Sequence, residues 1–263
     1  MSLPNETRIA KTKERKKNRG VLKGTGSIQV CTSVVTKKNG LSFKMDASNG
    51  VMVETIVGRK RFLKFLRNRK AIQNRIFVNR IDNQEKTWND YAKNLCRGAA
   101  RSLTMDNAGG TSVRSEALSI HVFEKLYDAK NVLCEMEVQY ETHAWSMVDY
   151  LATIAGKRVG VSVFRAMVAP HAKRTSFTME DARRLCAKKL RGLIVARNSV
   201  SKEHRFFNCV CHCIAQSPHA ARLMKRAFEE VMFDFESNLV AMITIVPKFD
   251  GVFYEKREKK RIC

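Results

Sequence analysis

The fold is decided by residues 158–167, which read RVGVSVFRAM, a run of near-continuous apolar character. A strand that is apolar on both faces is typical of the interior of a sheet whose two faces are both covered. We therefore predict a central strand over 158–167, inside an α/β domain.

Helices and strands are predicted on both sides of this strand by hydrophobic periodicity. The elements predicted before it are a helix over 112–126 and strands over 131–140 and 145–155. Thr178 caps a predicted helix over 178–190, and Gly192 ends it. The elements predicted after that helix are strands over 193–197, 207–215 and 239–246, and a helix over 218–235. The order is therefore helix, three strands, helix, strand, and then strand, helix, strand.

The first half of the chain has a different pattern. Three β-rich segments, at 27–36, 41–45 and 51–57, are joined by Asn39-Gly40 and Asn49-Gly50, which favour tight hairpin turns. They predict a small β-meander. From Phe62 to Ile76 apolar residues recur at helical spacing, which predicts a helix within 59–80.

Four segments follow from these patterns. They are a disordered basic arm at 1–26, the β-meander with a basic helical extension at 27–110, the α/β domain at 111–247 and a basic tail at 248–263.

Charge is the strongest compositional signal. The chain has 49 Lys and Arg against 25 Asp and Glu, a formal net charge of +24. Such a field attracts polyanions, and nucleic acid fits best because neutralised phosphates release counterions. An anionic membrane surface also attracts basic proteins, but it usually requires an amphipathic or lipidated anchor, and the sequence has neither. The sequence leaves DNA and RNA equally open as partners.

The basic residues are clustered in the arm and in the predicted helix. The stretch 59–80 holds nine Lys or Arg and no acid, whereas an ordinary solvated helix face mixes the two signs. We expect phosphate contacts from this surface, with the solvated face as the alternative. The residues concerned are Arg59, Lys60, Arg61, Lys64, Arg67, Arg69 and Lys70, together with Lys16 and Lys17 of the arm.

Location is predicted from what the sequence lacks. No apolar run approaches the ~18 residues of a membrane span, and the first 20 residues hold no apolar core of a secretory signal. Eight cysteines in a chain of this length favour reduced, buried side chains over disulfides. We expect an intracellular protein that is not secreted; the basic arm is compatible with the nucleus, and the oligomeric state stays open.

The order of the predicted elements resembles the core of the PD-(D/E)XK nuclease superfamily, the restriction-endonuclease-like fold. The resemblance implies an acid on the first helix, an Asp on the second strand and an acid-x-Lys pair on the third, with carboxylates that hold Mg²⁺. Glu116 and Asp149 match the first two positions, and Arg165 stands in the place of the lysine. Side chains alternate along a strand, so the second acid belongs at Val163, where this sequence departs from the pattern.

Glu137 is a candidate for the missing carboxylate. It lies on the polar side of the strand predicted over 131–140, which faces either the cleft or water. Asp149 could also form a purely structural pair with Arg165. Two functions therefore stay open. One is Mg²⁺-dependent phosphodiester hydrolysis, with Glu116, Asp149 and Glu137 as metal ligands and Arg165 on the phosphate. The other is an inactive nuclease-fold scaffold or binding module in an RNA- or DNA-containing assembly.

The segments SEALS, EMEVQY, VDY and GKRVGVSVFRAM, between residues 115 and 167, are also similar to a little-characterised eukaryotic family, the AAC-rich mRNA clone proteins. That resemblance supports the fold and the pairing of Glu116 with Asp149 rather than any reaction. The second core helix has a basic side, which either lies near substrate, as the fold resemblance implies, or is only solvated; its residues are Arg183, Arg184, Lys188, Lys189 and Arg191.

Overall fold

The computed structural model describes residues 32–37, 40–47, 51–55, 59–67, 76–83, 87–106, 112–141, 146–168, 176–232, 238–247 and 249–254. The fold is mixed α/β. The β-strands in these ranges are β1 (Thr32–Lys37), β2 (Gly40–Ala47), β3 (Val51–Thr55), β4 (Ile76–Asn83), β5 (Lys130–Cys134), β6 (Tyr150–Ile154), β7 (Lys157–Ala166), β8 (Asn208–Ala215) and β9 (Leu239–Ile245). The α-helices are α1 (Arg59–Arg67), α2 (Trp88–Ala92), α3 (Arg97–Ser102), α4 (Val113–Tyr127), α5 (Met179–Ser199) and α6 (Pro218–Val231).

These strands form one mixed sheet in the order β1-β2-β3-β4-β9-β8-β7-β6-β5. The pairings from β4 to β9, β9 to β8 and β8 to β7 are parallel, and the others are antiparallel. The strand predicted over 158–167 is β7, which lies between β6 and β8. Its position inside the sheet confirms the prediction from its continuous apolar character.

Two helical layers cover the sheet. Alternate residues of β7 point to opposite faces: Val161 packs in one cluster with Phe123 of α4, and Phe164 packs in another with Leu190 of α5 and Phe228 of α6. The first cluster also includes Phe62 of α1. The α4 face and the α5–α6 face of the sheet are therefore both buried.

The strand predicted over 193–197 is wrong, because α5 continues to Ser199. Thr178 caps the helix as predicted, but Gly192 lies inside it rather than at its end. Leu193 and Ala196 are buried and continue the inward stripe of Leu190, which is a helical spacing. The strand that follows α5 is therefore β8, and after it come one helix and one strand instead of the predicted strand, helix and strand.

The helix predicted within 59–80 ends at Arg67, and residues from Ile76 onward form β4 instead. Phe77, Asn79 and Ile81 are buried while the residues between them are half-buried, an alternation that fits a strand. Ile76 therefore belongs to a strand, although its distance from Phe62 had suggested a helix.

Two predicted strands are shorter in the structure. The strand predicted over 131–140 ends at Cys134, and Glu135–Glu137 form a 3-10 turn. The strand predicted over 145–155 begins only at Tyr150. The predictions over 112–126, 207–215 and 239–246 are confirmed to within two residues by α4, β8 and β9.

The predicted meander is confirmed as the antiparallel strands β1, β2 and β3, while residues 38–39 and 48–50 of its turns lie outside the described ranges. β3 pairs with β4, so the meander extends the main sheet. The predicted boundary near residue 110 also lies outside the described ranges, and the division into segments stays a prediction.

Phe62 of α1 packs against Tyr127 of α4, with ring centroids 4.6 Å apart. In the described part of the chain, no helix is both long and apolar enough to cross a membrane.

Candidate functional site

Two carboxylates that the sequence predicts as site residues interact electrostatically in the structure. Glu116 lies in the first turn of α4, and Asp149 lies directly before β6. The negative charge of Asp149 raises the pKa of Glu116, so the two side chains lie within range of electrostatic interaction. The two acids that the resemblance paired thus influence each other electrostatically, and a shared metal site stays a prediction.

The pKa of Glu116 rises from 4.5 to about 7. Burial is the largest cause and the negative charge of Asp149 is the next, whereas the hydroxyl of Ser112, which donates to Oε1 of Glu116, lowers the pKa. Glu135 adds a smaller raising effect and Lys189 a smaller lowering one. A carboxyl group that burial and the charge of a second carboxylate keep partly protonated near neutral pH would be stabilised in its charged form by a cation.

Asp149 is held by a fixed set of donors. Its Oδ2 accepts a hydrogen bond from Oγ of Ser162 at 3.0 Å and another from the backbone N–H of Val163 at 2.7 Å. The register of β6 and β7 explains this, since Tyr150 pairs with Val161 and the preceding Asp149 therefore lies opposite Ser162. Among the described residues no donor reaches its other oxygen, Oδ1, so that oxygen can take a further ligand.

Lys189 of α5 completes the site, and the sequence reasoning did not assign it this role. Its Nζ lies 3.8 Å from Oδ2 of Asp149 and 3.4 Å from Oγ of Ser162, and its side chain is 29% exposed. A signal was present in the sequence. Lys189 lies between Cys186 and Leu190 on the inward side of α5, and a cation there usually has a partner.

The position expected to hold a second acid is explained by the register. Val163 contributes only its backbone N–H to the site, and its side chain is buried in the core on the α4 face. Ser162, on the opposite face, is the residue whose side chain meets Asp149. Counting back two residues from Arg165 therefore selected the wrong face of β7.

Arg165 points to the α4 face of the sheet. Its Nη1 donates to the carbonyl oxygen of Phe253 at 3.0 Å. The cation placed beside Asp149 is Lys189, from a different element. The basic residue beside Asp149 is thus Lys189 of α5, and Arg165 does not occupy the position expected for the lysine.

Glu137 has a structural set of contacts. Its Oε1 lies 2.5 Å from Nη1 of Arg101, and its Oε2 accepts from the backbone N–H of Cys134 at 2.7 Å. The hydrogen bond from Arg101 holds the pKa of Glu137 below its usual range. The strand predicted over 131–140 ends at Cys134, and Glu137 belongs to a 3-10 helix. The alternation of side chains between two sheet faces, on which the prediction for Glu137 relied, therefore does not apply to it. Of the two acids on this turn, it is Glu135 whose charge adds a small raising effect on the pKa of Glu116.

A buried polar network fixes the two elements that carry the acids. Oγ of Ser119, on α4, lies 2.8 Å from the hydroxyl of Tyr150 on β6 and 2.7 Å from Nδ1 of His212 on β8. Nε2 of His212 lies 2.7 Å from Oγ1 of Thr244 on β9. Burial lowers the pKa of His212 to about 3, so the ring is neutral and serves as a connector. The network positions α4 and β6 relative to the sheet interior.

The site can be compared with a known protein. Over 110 residues, 40% of this chain, the sequence is 34% identical to the AAC-rich mRNA clone AAC4 protein of Dictyostelium discoideum. The matched region spans 16% of that protein's length, and its name states no activity. No family model and no solved structure matches the chain. The chain is thus similar in part to a protein of the AAC-rich mRNA clone family, as the sequence indicated, and the wider nuclease resemblance stays a prediction.

The basic residues of α1 form an exposed surface. Phe62, Phe65 and Leu66 bury one side of the helix. The opposite side exposes all of its basic residues, which are Arg59, Lys60, Arg61, Lys64 and Arg67. The other predicted phosphate contacts, Arg69, Lys70, Lys16 and Lys17, lie outside the described residues. The five exposed cations are free to meet a polyanion without disturbing the core.

Replacing Glu116 by glutamine is expected to stabilise the protein at alkaline pH. A pKa raised in the folded state means that stability is fully present below the unfolded value of 4.5 and is lost as pH rises through about 7. Removing that charge should raise the free energy of unfolding by roughly 1–3 kcal/mol near pH 8.5 and by much less near pH 5. Urea denaturation at both pH values measures this difference.

The matched control is Glu229→Gln, an exposed carboxylate on α6 paired with Lys225. It should leave the pH dependence unchanged. Equal pH dependence in wild type and Glu116→Gln would show that the pKa of Glu116 is not raised in the folded protein.

Proposed function

We propose that this chain binds nucleic acid and cleaves phosphodiester bonds with Mg²⁺, through a restriction-endonuclease-like α/β domain. The observation that carries the proposal is the contact of Lys189 on α5 with Asp149 before β6, 3.8 Å apart at a part-buried site, where both charges also act on Glu116 of α4. The element order α4-β5-β6-β7-α5-β8 supports it, with β6 antiparallel to its neighbours and β8 parallel to β7.

The residues present fit a magnesium ion. Mg²⁺ keeps several waters and is usually bound by one or two carboxylates together with substrate phosphates. Glu116 and Asp149 supply two carboxylates, and within the described ranges no three His, Cys, Asp or Glu side chains gather in one metal-binding group. When bound there, Mg²⁺ would polarise the phosphate and lower the pKa of an attacking water.

The side chains have separate roles in this proposal. Ser162 and the N–H of Val163 orient the Asp149 carboxylate and leave its second oxygen toward the ion. Lys189 donates to the phosphate oxygen on which negative charge develops, because its ammonium group is already held beside the acids. Glu116 loses its proton as pH rises through about 7, which completes the pair of ligands.

The exposed cations of α1 supply affinity without sequence preference. Phosphate contacts by Lys and Arg fix the position of a nucleic acid and make binding weaken steeply with salt. This accounts for a net charge of +24 that the catalytic site alone does not need. An intracellular location would be consistent with such a partner.

A second candidate function is a nuclease-fold module that binds without cutting. Ser162 favours it, since a carboxylate opposite Asp149 would give the site a third acid and a hydroxyl does not. The basic surface of α1 would then be the functional part of the protein.

Cleavage of labelled DNA and RNA, single- and double-stranded, tests the proposal. We expect products with Mg²⁺ or Mn²⁺ and none with a chelator. If every substrate is bound and none is cut with either ion, the binding module is correct and the hydrolase is not.

A further inference from the structure

A basic cleft lies beside the candidate site, between α5 and the segment that leads into β6. Its volume is about 500 Å³, and its lining includes Ser146 and the three cations Arg184, Lys188 and Arg191. None of the described residues that line it is an acid. The cleft therefore favours an anionic ligand.

Some cations of α5 are paired with carboxylates of the protein, and others are not. Arg183 is paired with Glu230 at 2.8 Å, and Lys189 is turned to Asp149. Among the described residues, neither Lys188 nor Arg191 has a carboxylate within 4.0 Å, and both are exposed. Nη2 of Arg184 lies 3.5 Å from Oδ1 of Asp181, so Lys188 and Arg191 are the two cleft cations that no described carboxylate neutralises.

The spacing of these cations fits a chain of phosphates better than a single anion. Arg184, Lys188 and Arg191 follow one another at intervals of four and three residues, so they lie on one side of the helix. At ~1.5 Å of rise per residue they extend over ~10 Å, which is long enough to contact more than one phosphate of the same strand. A small inorganic phosphate would reach only one or two of them.

The cleft is joined to the candidate site. Ser146 on its wall precedes Asp149 by a stretch of chain that spans at most ~10 Å. Gly192 lets this wall approach the helix, because a Cβ at that position would lie 3.0 Å from Oγ of Ser146. On the helix, Lys188 of the cleft is the direct neighbour of Lys189 of the site.

We infer that this cleft binds a single phosphodiester strand and leads it to Glu116 and Asp149. The inference rests on the proposed function, since it names the path of the substrate to that site. A volume of about 500 Å³ is that of a pocket for a small ligand, so a few nucleotides of one strand fit and a duplex does not. Val195, which is 46% exposed at the end of the cleft, offers an apolar contact to a sugar or a base.

The test is the double charge reversal Lys188→Glu with Arg191→Glu. Binding of a fluorescent single-stranded oligonucleotide, as DNA and as RNA, is followed by anisotropy between about 50 and 200 mM salt. The variant should bind at least ~10-fold more weakly at the lower salt, and the slope of log K against log salt should fall by ~1.4, or ~0.7 for each lost phosphate contact.

The matched control reverses Lys202 and Arg205, two exposed cations in the loop after α5. It changes the net charge equally, so a general electrostatic effect would weaken both variants alike. Equal weakening would overturn the cleft as a strand path. Circular dichroism verifies that both variants are folded.

Failure of the cleft and failure of the hydrolase are distinguishable. If the wild type cuts and the cleft variant binds and cuts like the wild type, the inference is wrong and the proposed function stands. If the wild type binds without cutting and the cleft variant loses affinity against the control, the cleft is a strand-binding surface and the catalytic proposal is wrong. A wild type that binds no oligonucleotide would overturn both.

Discussion

Replacement of Asp149 by asparagine is expected to remove cleavage while the protein still binds nucleic acid. Asparagine has nearly the same shape, and its Oδ1 can accept the hydrogen bonds that Ser162 and the N–H of Val163 now donate. The variant therefore keeps its local structure but loses the charge that a cation requires. We expect the rate constant for cleavage with Mg²⁺ to fall by about 10³-fold, as for the loss of a principal electrostatic group.

Cleavage and binding are measured on the same labelled substrate. Affinity should stay within about twofold, because phosphate contacts of the basic surface supply it. The control is Asp128→Asn, which removes an equal charge from an exposed position at the end of α4 where asparagine fits the left-handed backbone. It should cut like the wild type. Undiminished cutting by Asp149→Asn would remove Asp149 from the catalytic machinery.

The parts of the fold that depend on short-range patterns could be predicted. Burial on both faces made the strand over 158–167 recognisable as internal to the sheet, and an N-cap together with first-turn acids located the start of α5 at Thr178. The two Asn-Gly turns gave the meander of β1, β2 and β3. In each case neighbours in sequence carry the information.

Errors arose where a local signal was overruled by packing. Gly192 is a typical helix end, yet burial of Leu193 and Ala196 against the sheet keeps α5 helical beyond it. Ile76 continues an apparent helical spacing from Phe62, yet pairing with β3 and β9 makes β4 a strand. Tertiary contacts of this kind cannot be inferred from spacing alone.

The candidate site was half predictable for the same reason. Glu116 and Asp149 could be named because each has a clear place in the element order. The role of Lys189 could not be predicted in this way. The register of β6 against β7 is needed to show that Asp149 contacts Ser162, and the packing of α5 is needed to bring Lys189 to both residues. Glu137 was misjudged because the strand ends three residues before it, at Cys134.

Replacement of Lys189 by glutamine should slow cleavage by about 10²-fold, chiefly in kcat. Glutamine retains most of the length of the side chain but not its charge. Lys189 is placed to donate to charge that develops on the phosphate in the transition state, so its loss should change KM little. The exposed Lys225→Gln, on α6, is the control for the loss of one positive charge.

The pH profile separates this role from a structural one. The charge of Lys189 lowers the pKa of Glu116, so its removal should raise that pKa above its present value of about 7. The acid limb of kcat/KM, which reports the free enzyme, should then move to higher pH in Lys189→Gln and stay in place in Lys189→Arg. A variant that merely packed badly would lose stability without moving the limb. A glutamine variant with an unshifted limb and an unchanged kcat would show that Lys189 serves only to hold Asp149 and Ser162 in place.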